Sequence, residues 1–212
     1  IPVSIILKTS LIMLTFGTIF FLAFEWNGVL NTLSFFDKIN NAFFQSATLR
    51  TAGFNSIEIF NVGTPTLIIM LFFMFIGGSP GGTAGGIKTL TFALLAMTFW
   101  ANLTSKKEVI VKNRKINSGI IFRAITITFF GLFVLFLIII MLEVTQQIET
   151  RLLIFEAFSA LGTVGLSLGA TMGLDEMGKA IIIVAMLVGR LGSVALFMLL
   201  CEDQSNRPKP SN

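Results

Sequence analysis

Thr51-Ala52-Gly53-Phe54 and Thr163-Val164-Gly165-Leu166 are two copies of a Thr-x-Gly turn, each following a short apolar-amphipathic segment. Those segments, roughly residues 41 to 50 and 150 to 161, carry helical rather than alternating patterning. At about 1.5 Å per residue each covers only about half a bilayer. A half-helix that ends at membrane depth aims its negative dipole end and its unpaired carbonyls at whatever lies there. The turn that follows adds more main-chain carbonyls, and a ring of carbonyls can replace the hydration shell of an alkali cation. A lone Thr-x-Gly would read more readily as an ordinary helix C-cap. Two copies at one place in a repeat favour the cation chemistry.

The repeat is what ties these turns to larger elements. Shifted by 112 positions, Phe43 falls on Phe155, Leu49 on Leu161, Thr51 on Thr163, Gly53 on Gly165 and Gly77 on Gly189. The same shift lays residues 11–24 over 123–136. Each unit is therefore expected to be a long helix, an outer turn, a re-entrant half-helix, a cavity-lining turn and a second long helix. Non-helical backbone at membrane depth is tolerated only where protein buries it or a watery cavity borders it.

Composition places these units in a membrane. The 212 residues are 54% hydrophobic and 12% charged, with 23 Phe and neither Tyr nor His. Residues 1–24, 119–142 and 177–201 are each long and apolar enough to cross about 30 Å of hydrocarbon. Absence of His weakens the case for Ser-His chemistry and for His-ligated metal together. The single Cys201 excludes an internal disulfide. Lys106, Lys107, Lys112, Arg114 and Lys115 crowd one short connection, which the positive-inside rule puts in the cytoplasm. Topology thus explains the formal +4, and no basic-aromatic interleaving suggests nucleic acid. The chain opens mid-helix at Ile1-Pro2-Val3, as expected of a piece of a longer polypeptide.

One segment interrupts the helical pattern. Unbroken, residues 64–103 would make a helix about 60 Å long, twice the hydrocarbon thickness. Six Gly and a Pro within Gly77, Gly78, Ser79, Pro80, Gly81, Gly82, Thr83, Ala84, Gly85 and Gly86 mark the break. Its freed backbone groups demand protein or water, which puts the loop at the pore on the cytoplasmic side of the Thr-x-Gly turns. Arg190 falls at the depth of Gly78 by the repeat, and a guanidinium there faces the bundle interior or a watery cavity. With no Asp or Glu in residues 64–103 or 177–201, carbonyls of the loop or of helix ends are its expected partners. A positive charge beneath a cation filter is an electrostatic barrier, and a loop held against it is a gate. Lys88 either snorkels toward the cytoplasm or joins that gate.

Other polar groups admit two readings. Arg50 and Glu156 either pair across neighbouring units or face outer water. Asn55 and Ser167 either hold a hydrated cation at the mouth or make turns. GGTAGGIKT fails as a phosphate loop because Ile87 separates Gly86 from Lys88. Gly77-Gly78-Ser79-Pro80-Gly81 fits a nucleophile elbow formally, leaving a Ser79–Lys88 intramembrane hydrolase as an outlying alternative. An ion-coupled secondary transporter with broken helices is another.

TLRTAGFNS, GGSPGGTAGGIKT, FSALGTVGLS and GRLG together resemble the Trk/Ktr/HKT superfamily of potassium transporters, most closely the KtrB-type membrane subunits, over nearly the whole chain. The resemblance implies an all-α membrane fold of parallel helix, pore-helix, helix units, four around one pore. Residues 1–103 and 119–201 would be the third and fourth units, joined by a basic linker at 104–118 and followed by a cytoplasmic tail at 202–212. It implies a selectivity filter at Thr51, Ala52, Gly53, Phe54, Thr163, Val164, Gly165 and Leu166, with potassium, and sodium as a second cargo, on the carbonyls of Thr51 to Gly53 and Thr163 to Gly165. The gate would be residues 77–86 with Lys88 and Arg190. Implied partners are the N-terminal half of the same subunit, a second subunit in a homodimer, a cytosolic nucleotide-binding regulatory ring, and the lipid of a bacterial plasma membrane.

Overall fold

In the first unit, α1 (Val3–Glu25) is followed by α2 (Phe35–Thr48), α3 (Thr64–Phe75) and α4 (Thr89–Leu103). The second has α5 (Ser118–Thr145), α6 (Thr150–Gly162), a one-turn α7 (Ala170–Gly173) and α8 (Glu176–Cys201). Between the units lies a two-stranded hairpin, β1 (Ile110–Val111) and β2 (Arg114–Lys115). The computed structural model describes residues 3–79, 84–105, 110–111 and 114–201. Pro80, Gly81, Gly82 and Thr83 of the Gly-rich segment, much of the basic connection and the tail from 202 lie outside the described residues.

Each half-helix is where the repeat requires it, although α2 begins six positions before the expected Asn41. The reason is an N-cap. The Ser34 side chain accepts from Asp37 N at 3.3 Å and donates to the Asp37 carboxylate at 2.7 Å. The expected break also forms, dividing residues 64–103 into α3 and α4. Pro65 in the first turn of α3 is compatible with a helix start, where no N–H is missed.

α1 and α5, of 23 and 28 residues, are long and apolar enough to cross a membrane. Only 17% of the most apolar window in each is buried, so these helices present their apolar side chains outward rather than to a core. Phe16, Ile19, Phe122, Phe129, Phe133 and Phe136 all face out. α1 packs on α2, α3 and α4, while α5 and α8 hold α6 between them. The units meet through α3 against α6 and α4 against α5. Phe155, Val164, Leu166 and Leu168 of the second unit are buried in the same apolar cluster as Met13, Phe21, Met70 and Met74 of the first. Through this shared core the two Thr-x-Gly turns hold one fixed relation.

Candidate functional site

Both turns adopt the same unusual backbone. Thr51 and Gly53 have φ of 74° and 77°, and Thr163 and Gly165 have φ of 53° and 91°. Ala52 and Val164 between them keep negative φ. In an ordinary strand successive carbonyls alternate sides. Alternating left- and right-handed residues cancels that alternation, so consecutive carbonyls turn toward one side. A β-branched residue at positive φ is a true outlier, and two at matched positions of a repeat point to a function.

The turns face each other. A Cβ placed on Gly53 would collide with the Val164 carbonyl oxygen and lie 3.3 Å from Gly165 Cα, and one on Gly165 would lie 3.5 Å from Gly53 Cα. Main-chain oxygens and α-carbons thus meet without side chains between them. In the first turn the available carbonyls are those of Thr51, Ala52 and Gly53. The Phe54 carbonyl accepts from Thr48 Oγ1 at 2.8 Å, and Phe54 N donates to the same hydroxyl at 2.9 Å. One threonine therefore clips the far end of the turn to its half-helix. Sequence reasoning missed Thr48, and its counterpart Ala160 offered no repeat signal.

Arg50 and Glu156 do not pair. Arg50 donates to Ser10 Oγ at 3.2 Å and to Thr89 Oγ1 at 3.0 Å, tying the first turn to α1 and to the start of α4. Glu156, buried on α6, accepts from Ser167 Oγ at 2.9 Å and from Thr171 Oγ1. Ser167 also accepts from Gly169 N at 3.0 Å, so it serves as a brace and a turn residue. The pairing failed because each residue found a nearer partner on its own unit.

The Gly-rich segment leaves α3 and returns to α4 through a closed neck. Gly77 N donates to Ile87 O at 2.9 Å, Ile87 N to Phe75 O at 3.0 Å, and Thr89 N to Gly78 O at 3.1 Å. Thr89 Oγ1, itself held by Arg50, donates to Gly77 O at 3.1 Å. Above the neck, Gly85 N donates to Thr163 Oγ1 at 2.8 Å, so the segment touches the second turn directly. Lys88 does not extend away from the segment: its Nζ donates to Ala84 O at 2.5 Å. Arg190 lies close enough to Lys88 for their charges to interact. It also lines a cavity of about 640 Å³ with Glu156, Ser159, Thr163, Gly165 and Ser167.

A largely helical chain with two helices long and apolar enough to cross a membrane brings two left-handed Thr-x-Gly turns together, backbone against backbone. A family model described as TrkH, cation transport protein, matches residues 1–207, and the chain belongs to that family, one of integral membrane transporters and not of enzymes. It is 40% identical over 190 residues to the Ktr system potassium uptake protein B of Bacillus subtilis, covering 89% of this chain and 43% of the relative. To the potassium/sodium uptake protein NtpJ of Enterococcus hirae it is 37% identical over 205 residues, covering 94% and 46%. The crystal structure of the potassium transporter TrkH from Vibrio parahaemolyticus shares the fold, with a TM-score of 0.79 at 20% identity over 91% of this chain and 43% of that one. The chain spans less than half the length of these relatives.

Proposed function

We propose that this chain supplies two of the four units of a potassium uptake pore in a bacterial plasma membrane, in which monovalent cations pass over backbone carbonyls of Thr51 to Gly53 and Thr163 to Gly165. The observation that carries the reading is the pair of matched left-handed turns in backbone contact at Gly53 and Gly165. Oxygen donors held by a fixed backbone suit a cation that sheds its water. The names of the relatives favour potassium as cargo, with sodium as a second. The gate comprises Gly77, Gly78, Ser79, Ala84, Gly85, Gly86, Lys88 and Arg190, and the four residues between Ser79 and Ala84 belong to the same segment. The Gly85 backbone, held against Thr163 at the inner face of the filter, blocks the path, and the positive charges beneath it repel a cation. The N-terminal half of the subunit contributes the other two units, a second subunit completes a homodimer, and a cytosolic nucleotide-binding ring moves the gate.

The test is cation flux through the full-length assembly in liposomes, comparing potassium, rubidium and sodium. Gly53→Ser, which puts a side chain against the Val164 carbonyl, is expected to weaken discrimination by at least about tenfold, a loss of about 1.4 kcal/mol in selectivity. Arg190→Ala is expected to raise leak. Unchanged selectivity in Gly53→Ser overturns the filter assignment.

A further inference from the structure

Thr163 and Thr51 occupy equivalent positions of the repeat and both have positive φ, yet among the described residues only one of them has its hydroxyl engaged. Thr163 is the left-handed C-cap of α6, at φ 53° and ψ 38°, where a glycine or asparagine is easier to accommodate. A threonine kept there against that preference retains a hydroxyl. That hydroxyl accepts from Gly85 N at 2.8 Å. Thr51 Oγ1 makes no hydrogen bond among the described residues.

Gly85 leaves no space beneath the hydroxyl. A Cβ on Gly85 would stand 2.6 Å from Thr163 Cγ2, 2.7 Å from its Oγ1 and 3.0 Å from Gly162 O. No cation fits between the Gly85 backbone and Thr163 while they are in contact. The N–H also points its positive end at the oxygen, which opposes a cation on the same atom. Gly85 is presented from a firm base, since the neck below it is closed by main-chain bonds at Gly77, Ile87 and Thr89, with Arg50 behind Thr89.

We propose that the Thr163 hydroxyl is shared between the Gly-rich segment and the permeating cation: it accepts from Gly85 N–H when the segment is docked, and becomes a cation ligand at the cytoplasmic end of the filter when the segment withdraws. Docking and occupancy of that inner position then exclude each other. Linkage makes the effect reciprocal, so potassium in the filter loosens the segment by the same factor by which the docked segment weakens potassium binding. The inference rests on the filter reading above, and adds that the cargo itself biases the gate through one side chain.

The experiment uses the full-length assembly in liposomes, in a cysteine-free background carrying Ala84→Cys, since Ala84 is half-buried beside Gly85 and is uncovered when the segment withdraws. Labelling by a thiol reagent from the cytoplasmic side is timed in potassium and in choline at equal ionic strength. One hydrogen bond exchanged for a cation contact corresponds to acceleration by potassium of roughly 2- to 10-fold. Thr163→Val is expected to label fast in both salts, Thr163→Ser to keep the potassium effect, and Thr51→Val to keep it as well. Equal labelling in potassium and choline, with rubidium flux intact, overturns the proposal, as does a potassium effect that survives in Thr163→Val. Loss of the potassium effect in Thr51→Val likewise overturns the assignment to Thr163. The two readings fail separately: Gly53→Ser with unaltered selectivity sinks the filter, whereas selective flux with salt-independent labelling sinks only the shared hydroxyl.

Discussion

The two Thr-x-Gly turns share a backbone and almost nothing that holds it. In the first, Thr48 clips Phe54 from both sides, Gln45 reaches Ser56 at 3.2 Å, and Arg50 anchors the turn to α1 and α4. In the second, a buried carboxylate, Glu156, gathers Ser167 and Thr171, and the hydroxyl of Thr163 is held by Gly85. What the repeat preserves is a pattern of torsions, while the side chains that enforce it have diverged. A function carried by main-chain oxygens would leave that trace, because any scaffold that fixes the same φ and ψ presents the same carbonyls.

The comparison breaks most readily at its two glycines. Gly53→Ala adds a Cβ that collides with the Val164 carbonyl in a left-handed residue. Gly165→Ala meets only ordinary contact, at 3.5 Å, and bears the left-handed strain alone. In the full-length protein the first is expected to cost more than about 3 kcal/mol and the second about 1–2 kcal/mol. Thermal unfolding in detergent measures both. Equal losses would mean that the turns do not press on each other as described.

A same-type substitution sharpens the difference in scaffolding. Glu156→Met deletes two charge-assisted bonds to hydroxyls, at an expected cost of about 2 kcal/mol, and frees α7 from α6. Gln45→Met deletes one long bond and also removes Gln45 Oε1, a buried oxygen with no partner among the described residues. It should therefore stay within about 1 kcal/mol of the parent. A reversal of that order, read by the same unfolding measurement, would transfer the main bracing role to the first unit.

The elements were legible because the patterns that make them are long. Three apolar stretches, a 112-position repeat and a dense run of glycines each integrate many residues, so α1, α5, α8, both half-helices and the break could be placed from the sequence. Single contacts were not legible. Arg50 and Glu156 look complementary on paper, but Ser10 and Thr89 compete for the one and Ser167 and Thr171 for the other, and only three-dimensional proximity decides such a contest. Thr48 carried no pattern at all. The start of α2 did carry one, since Ser34 and Asp37 have the spacing of an N-cap and its acidic partner, but the apolar Phe35-Phe36 between them hid it as part of the outer turn.

That cap supplies the third test. Ser34 caps α2 with its side chain, whereas Glu149 at the start of α6 makes no side-chain cap bond. Ser34→Ala should cost about 1 kcal/mol. Glu149→Ala should change stability by no more than about 0.5 kcal/mol. Matching losses in thermal unfolding would show that both half-helices depend on their first residue, contrary to the difference in capping.

The outer ends of the units differ as their turns do. In the first unit Glu25 is buried, taking Gly63 N at 3.0 Å and Thr66 Oγ1 at 2.6 Å to fasten α1 to α3. In the second, the exposed Asp175 accepts from Gly178 N at 2.7 Å and from Gln146 Nε2 at 2.5 Å, while its own N–H donates back to Gln146 Oε1 at 3.1 Å. The Gly178 N–H and then the Gln146 amide hold the Asp175 carboxyl below the ordinary carboxylate range. A carboxyl depressed on folding contributes stability that is present above its unfolded pKa, about 3.9, and is lost as pH falls through the lower folded value. The contribution is small because the group is exposed to solvent. Asp175→Asn keeps an oxygen acceptor and removes the titration. Melting temperatures of the parent and Asp175→Asn should therefore differ modestly near neutral pH and converge below about pH 4. Curves that stay parallel through that window would remove Asp175 from the acid limb and leave the second unit's outer turn with no pH-dependent fastening at this residue.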